Sequence, residues 1–125
     1  MNRIYISQSA LLNNYHYLQT LKPQADLFPV LKSNAYGHGI DNILRIYKWL
    51  PIKYIVVDSF PEYSIVYRHS NFNVLMMWET LPINYGKFDL KRTTFCISNF
   101  ETLKILSKLN KKLKIHLFLN TGMNR

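Results

Sequence analysis

The 125-residue chain has few of the residues that several kinds of functional site require. Its single cysteine, Cys96, excludes an internal disulfide and a zinc site built from several cysteines. That cysteine stands in the apolar segment 95–97, which favours a buried, inert thiol over a nucleophile. No apolar run approaches the roughly 18 residues of a membrane-spanning helix. The N-terminus lacks the apolar core of a signal peptide, so we expect a cytoplasmic protein.

Acidic residues are also scarce, with 7 Asp and Glu against 16 Lys and Arg, for a net charge of +9. Such an excess suggests nucleic acid or another anionic partner. The only cluster, at residues 108–114, surrounds the predicted end of a helix, where lysines complement the helix dipole. Lysine, asparagine, isoleucine and tyrosine are abundant along the whole chain. We therefore attribute the charge to overall composition and expect neither a nucleic-acid nor a membrane partner.

Short apolar runs alternate with segments of helical period, which predicts βαβ units and a parallel sheet in an α/β fold. Several of the runs are continuously apolar, as is typical of strands covered on both faces. The predicted elements are a lead-in strand at 4–6, five main strands at about 27–31, 54–57, 73–77, 93–97 and 114–119, and helices at about 9–21, 40–50, 61–68, 82–87 and 99–109.

Ligands of parallel α/β proteins bind at the carboxyl ends of the strands. Lys32 directly follows the first main strand, where desolvation favours a nucleophilic amine, although a solvated surface lysine is the alternative. Tyr36 could donate a hydroxyl to a phosphate, and Gly37 and Gly39 allow the backbone to approach a ligand closely, or serve only a tight turn. Together these residues suit a phosphate-bearing aldehyde cofactor.

Three further residues follow strands. Arg125 would supply a fixed positive charge at the same edge, or is simply a frayed terminal arginine. Asp58 and Glu79 could face the site, although helix capping is favoured. The four histidines show no metal-binding spacing with carboxylates, so we expect no metal site.

The segment Val30–Gly39 closely resembles the signature of alanine racemases, in which a strand ends in Lys-(Ala/Ser)-Asn-Ala-Tyr-Gly-His-Gly. Residues 121–125 are similar to that family's Thr-Gly-Met-x-Arg motif after the fifth barrel strand. The leader 6–11, with Asn14, is similar to the family's first helix. The resemblance implies a partial (β/α)8 TIM-type barrel, here with about five parallel strands and intervening helices.

The resemblance also implies a cofactor, pyridoxal 5'-phosphate, and a homodimer. Lys32 matches the lysine that holds the cofactor as an aldimine and acts as a base. Tyr36 matches the tyrosine that hydrogen-bonds the cofactor phosphate, and Arg125 matches the arginine near its phenolic oxygen. The implied activity is interconversion of L-alanine and D-alanine, which supplies D-alanine for peptidoglycan.

A complete (β/α)8 barrel needs about 250 residues. We therefore expect residues 1–125 to be the N-terminal portion of the barrel domain, without its last strands and the family's β-rich C-terminal domain. That domain carries the family's second base, a tyrosine, so we expect no racemase activity from this chain alone. The alternatives are a half-barrel that binds the cofactor or is completed by a partner without racemising, and a racemase of another amino acid.

Overall fold

A four-stranded parallel sheet covered by helices forms the centre of the computed structural model, which describes residues 3–109 and 112–122. The strand order along the sheet is β1-β2-β3-β4. The elements in chain order are α1 (Gln8–Leu21), the helical segment α2 (Lys32–Tyr36), α3 (Ile40–Tyr47), β1 (Tyr54–Val57), α4 (Phe60–His69), β2 (Asn73–Met76), the 3-10 helix η1 (Pro82–Lys87), β3 (Thr93–Ile97), α5 (Phe100–Ser107) and β4 (Lys114–Leu117). The predicted parallel α/β sheet is thus confirmed.

The middle of the sheet is the most deeply buried part of the described chain. Ile55 and Val57 of β1, and Val74 and Met76 of β2, each have no exposed surface. Their register brings Ile55 beside Val74 and Val57 beside Met76, so the apolar side chains form continuous rows. Strands covered on both faces are expected to be apolar throughout, which is how β1 reads in the sequence.

The first predicted strand is much shorter in the structure than in the sequence pattern. Its parallel pairing with β1 is a single bridge between Val30 and Val56. Two hydrogen bonds hold it: Leu31 N donates to Val56 O (2.8 Å), and Val56 N donates to Pro29 O (2.9 Å). Pro29 has no N–H to donate, and the chain turns sharply at Lys32, so the ladder cannot extend in either direction.

Two other segments differ from the sequence prediction. Residues 4–6 form no strand, and Ser7 instead caps α1 by accepting a hydrogen bond from Ala10 N (3.2 Å). Strand β4 ends at Leu117 rather than 119, and all four of its residues are exposed. Within the described residues β4 pairs only with β3, so its other edge lacks the cover that its apolar sequence predicts.

An aromatic cluster fixes the start of α4 against the rest of the fold. Phe60 packs edge-on against Phe88 (5.2 Å between centroids), and Tyr63 packs against the same ring (4.5 Å). The Tyr63 hydroxyl also accepts a hydrogen bond from Asp89 N (2.8 Å). Because these anchors lie on either side of Glu62, the first turn of α4 has a fixed position at the carboxyl edge of β1.

Candidate active site at the carboxyl edge of the sheet

Lys32 begins a turn of unusual handedness, which we call the lysine turn (Lys32–Tyr36). Ser33, Asn34, Ala35 and Tyr36 have φ angles of 51°, 53°, 54° and 52°. These are left-handed helical values, which cost an L-residue roughly 1–2 kcal/mol each. The sequence predicts a loop here, and four consecutive non-glycine residues in this conformation could not be foreseen from their identities.

Hydrogen bonds within the lysine turn compensate for part of that strain. Ala35 N donates to Leu31 O (2.8 Å), and Gly37 N donates to Ser33 O (3.0 Å). The Asn34 side chain accepts from Ile40 N (3.0 Å), so it caps the first turn of α3. Asparagine is the non-glycine residue best suited to both demands, since it tolerates the left-handed region and caps helices well.

The turn directs the Lys32 side chain toward the end of β1. Lys32 Nζ lies 3.8 Å from Asp58 Oδ2, and the two side chains are 24% and 27% exposed. The amine is therefore partly shielded but reachable from solvent. Of the two carboxylates considered from the sequence, Asp58 does lie beside the lysine.

Glu62 connects the lysine turn to the end of β1. Its two carboxylate oxygens accept hydrogen bonds from Asn34 N (3.2 Å) and from Asp58 N (3.4 Å). Burial favours a raised pKa of Glu62, but the bonds from Asn34 N, from the Ser59 side chain and from Asp58 outweigh it and lower that pKa. Glu62 therefore holds its negative charge between two strand ends.

Glu62 is a site residue that was not predicted from the sequence. Ser59 precedes α4 and Glu62 stands three residues later, which is the spacing of a capping box. That spacing is the sequence feature from which Glu62 could have been predicted. It predicts that the glutamate side chain folds back over the start of its own helix. The additional hydrogen-bond partner, Asn34 N, comes from the lysine turn.

Asp58 responds to both of its charged neighbours. Burial raises the pKa of its carboxyl, as do the hydrogen bond and the negative charge of Glu62, while Lys32 acts to lower it. Among the residues that the structure describes, Lys32 and Glu62 are the charged side chains that interact with Asp58. A lysine, an aspartate of raised pKa and a charged glutamate thus meet at one point of the sheet edge.

Glu79 forms a second link of the same kind further along the edge. It follows β2 and accepts hydrogen bonds from Ser98 N (3.0 Å), Asn99 Nδ2 (2.8 Å) and Thr102 Oγ1 (2.7 Å). Burial alone favours a raised pKa of Glu79, but these bonds prevail and lower it. The cap of α5 is Asn99, whose side chain accepts from Thr102 N (2.8 Å), and Glu79 holds that start in place through the side chains of Asn99 and Thr102. The capping role that the sequence favoured for Glu79 is therefore wrong. Burial and the nearby Glu79 raise the pKa of the Cys96 thiol, which agrees with an inert cysteine.

The other residues predicted for the site are not all brought together. Tyr36 lies in the lysine turn with 60% of its surface exposed. Arg125 lies outside the described residues, as do its two preceding neighbours.

No group of three or more His, Cys, Asp or Glu side chains able to hold a metal occurs in the described part of the chain. No helix over that same part is long and apolar enough to cross a membrane.

A broad open cavity of about 740 Å³ lies elsewhere, between α3 and the end of α4. Its lining includes Arg45, Lys48 and the hydrogen-bonded pair His69 and Asp41. Charged side chains at helix ends are typical of solvated surface, and none of them follows a strand. We therefore place the candidate site at Lys32, where strand ends and helix starts bring chemically distinct groups together.

The fold and the site define a class of protein, a parallel α/β sheet with a lysine at its carboxyl edge. Comparison with known proteins narrows that class: the model of the alanine racemase N-terminal domain family matches residues 6–125. The chain therefore belongs to the alanine racemase N-terminal domain family, as its signature segments predict.

Individual relatives agree with that assignment. The alanine racemase of Leptospira interrogans serovar copenhageni is 36% identical over 126 residues, which span 98% of this chain and 32% of that protein. A lysine racemase of Oenococcus oeni is 26% identical, over 98% of this chain and 34% of that protein. The crystal structure of alanine racemase from Oenococcus oeni superposes with a TM-score of 0.84 at 27% identity, covering 98% of this chain and 35% of that one. The chain thus spans about a third of the length of these relatives.

Proposed function

We propose that this chain carries the cofactor-binding lysine of a pyridoxal 5'-phosphate-dependent amino acid racemase, with Lys32 as that lysine. The observation that carries the proposal is the position of Lys32, whose amine emerges from a strained turn at the carboxyl edge of the sheet, 3.8 Å from Asp58. The family match supports it, since alanine racemases are pyridoxal phosphate enzymes.

The groups present suit the cofactor's chemistry. Its aldehyde needs a primary amine that solvent can reach, and Lys32 is partly exposed and fixed in direction by its turn. Its phosphate needs hydrogen-bond donors, and the exposed Tyr36 hydroxyl lies on the same turn. Gly37, which follows Tyr36, has no heavy atom within 4 Å of the place a Cβ would occupy, so the surface there is open. We propose Tyr36 as a phosphate ligand and Arg125 as a further cofactor contact.

When bound, pyridoxal phosphate draws electrons from the α-carbon of an amino acid and so makes the α-proton acidic. The Lys32 amine can accept or return that proton on its own side of the α-carbon, because an amine is an effective base once it is uncharged. Asp58 lies where it can stabilise the charged form of Lys32 after proton transfer. Inversion requires a second base on the opposite side, which we assign to none of the described residues.

Borohydride trapping tests the proposal directly. The purified chain is incubated with pyridoxal phosphate, reduced with borohydride, digested, and the lysine carrying the phosphopyridoxyl group is identified by mass spectrometry. We expect the label on Lys32 and its loss in Lys32→Ala. Lys53 is the matched control, because it is also ion-paired but its side chain is 63% exposed against 24% for Lys32. Labelling that follows exposure, with Lys53 ahead of Lys32, would refute the assignment.

We propose alanine as the substrate, in line with the Leptospira relative. The lysine racemase of Oenococcus oeni gives a specific reason to include other amino acids in the assay. The chain is incubated with pyridoxal phosphate and L-alanine, L-lysine or L-serine in deuterium oxide, and exchange of the α-proton is measured, because exchange needs only one base whereas inversion needs two. Exchange in L-lysine or L-serine but not in L-alanine would replace the alanine proposal without affecting the assignment of Lys32. The homodimer remains a prediction, which sedimentation velocity checks.

A further inference from the structure

The contacts around Lys32 point to a role for a residue that the signature segments do not contain. We propose that Asp58 is a positioning residue, the counter-ion that fixes the Lys32 amine at the edge of the sheet, and that Glu62 holds Asp58 and the lysine turn together. The meaning of this pair for catalysis rests on the proposed function, whereas the pair itself does not depend on it.

The first support is geometric. Lys32 and Asp58 lie at the ends of neighbouring parallel segments that pair through the bridge between Val30 and Val56. Each residue stands two positions beyond its bridge partner, so the backbone register itself brings the two side chains to the same level. The distance of 3.8 Å between Lys32 Nζ and Asp58 Oδ2 follows from that register.

The second support is that Asp58 has little freedom to turn away. Its backbone N–H donates to Glu62 Oε2 (3.4 Å), and its side chain also hydrogen-bonds the Glu62 carboxyl. Glu62 is anchored in turn, because its neighbours Phe60 and Tyr63 pack on Phe88. An ion pair between long mobile side chains contributes little, but here one partner is fixed and both are about three-quarters shielded.

The third support is the charge balance. Two carboxyl groups in contact do not both ionise easily, and Glu62 is the one whose charge is stabilised by backbone N–H groups. Burial and Glu62 raise the pKa of Asp58, and the positive Lys32 opposes that rise. The attraction is mutual, so the charge of Asp58 holds the Lys32 ammonium at this point of the edge.

The test measures the amine without any cofactor. The whole chain is labelled with trace acetic anhydride across a range of pH, and the midpoint of the reactivity curve of each lysine is read from its peptide. In Asp58→Asn we expect the Lys32 midpoint to fall, so that more of the amine reacts at a given pH, because the variant removes the negative charge beside the ammonium group. The backbone N–H of this residue still donates to Glu62 Oε2, so this variant keeps the shape of the site and removes only the charge.

The matched control is the other described Lys–Asp pair, in which Lys53 Nζ lies 2.9 Å from Asp26 Oδ1. Asp26→Asn should leave the Lys32 midpoint unchanged, and Asp58→Asn should leave that of Lys53 unchanged. Asp58→Glu should restore part of the shift. A Lys32 midpoint that stays constant or rises in Asp58→Asn would overturn the proposal.

A measurement on the unsubstituted chain covers the case in which Asp58→Asn does not fold. Raising the salt from about 0.1 M to about 1 M shortens the screening length from about 10 Å to about 3 Å, below the separation of this pair. The Lys32 midpoint should then fall, and a midpoint insensitive to salt would also overturn the proposal. Failure of borohydride trapping would refute the cofactor assignment and leave these curves as they are, so the two failures are distinguishable.

Discussion

Replacing Glu62 by glutamine should release the lysine turn. The wild-type carboxylate uses one oxygen for Asn34 N and the other for Asp58 N. Glutamine keeps one acceptor oxygen and places an NH2 donor against the second N–H group. The substitution therefore removes the negative charge and one of the two hydrogen bonds.

The size of the effect can be worked out from these contacts. A hydrogen bond to a charged group contributes about 1.5–3 kcal/mol. Glu62 is only half-buried, which favours the lower end, so we expect the free energy of unfolding to fall by about 2 kcal/mol. Local opening of the lysine turn should become roughly 25-fold more frequent, since 1.4 kcal/mol corresponds to a factor of ten.

Urea unfolding and amide hydrogen exchange measure the two quantities separately. Ala35 and Gly37 donate the hydrogen bonds that close the turn, so their amides should exchange faster in Glu62→Gln. Glu101→Gln is the matched control, because Glu101 is also a first-turn glutamate but is exposed. If the exchange of both amides and the urea midpoint in Glu62→Gln equal those of the control, Glu62 does not secure the turn.

Three further substitutions test the rest of the structure. Leu106→Ala should lower the free energy of unfolding by about 2–5 kcal/mol, because Leu106 is only 1% exposed. The control Leu103→Ala, at a 39% exposed position, should lower it much less. Equal urea midpoints for the two variants would contradict the assigned core. Gly39→Ala should destabilise the fold by more than about 1 kcal/mol, because φ is +88° and the new Cβ would lie 2.9 Å from the side-chain amide of Asn42. The control is Gly86→Ala, where the new Cβ has open space. An unchanged thermal midpoint in Gly39→Ala would count against the turn geometry. Hydrogen bonds lower the pKa of Glu79 despite its burial, so its contribution to stability is present at neutral pH and is lost as the pH falls through that lowered pKa. In urea titrations at several pH values, Glu79→Gln should reduce the loss of stability on the acid side. An unaltered loss in that variant would refute the role of Glu79.

The sheet was predictable from the sequence because apolar runs and helical periods alternate so regularly. Strand β3 begins and ends at the predicted residues, Thr93 and Ile97. The first strand was overestimated, since an apolar run ending in Val30 and Leu31 carries no sign that its neighbour bonds it at one bridge only. The exposure of β4 could not be predicted from the sequence either, because an apolar pattern indicates which side chains a strand can bury and not whether another element covers them.

The site was predictable in part. Lys32 follows a strand, and that position alone marked it as a residue to inspect. Its partner Asp58 was visible as a residue after the next strand, but the distance between them depends on a register that the sequence does not encode locally. Glu62 was missed because helix spacing explains it fully as a cap, and its second partner, Asn34 N, is 28 residues away.

The left-handed turn after Lys32 also restricts which sequences can occupy this place. β-branched side chains clash in the left-handed region, so valine, isoleucine and threonine are excluded from the four positions 33–36. Glycine would fit, but it would add flexibility to the unfolded chain and make the orientation of the Lys32 side chain less fixed. The sequence Ser-Asn-Ala-Tyr is therefore constrained by the handedness of the backbone as well as by chemistry. Because few sequences adopt this conformation, a short segment of this kind is enough to identify the turn.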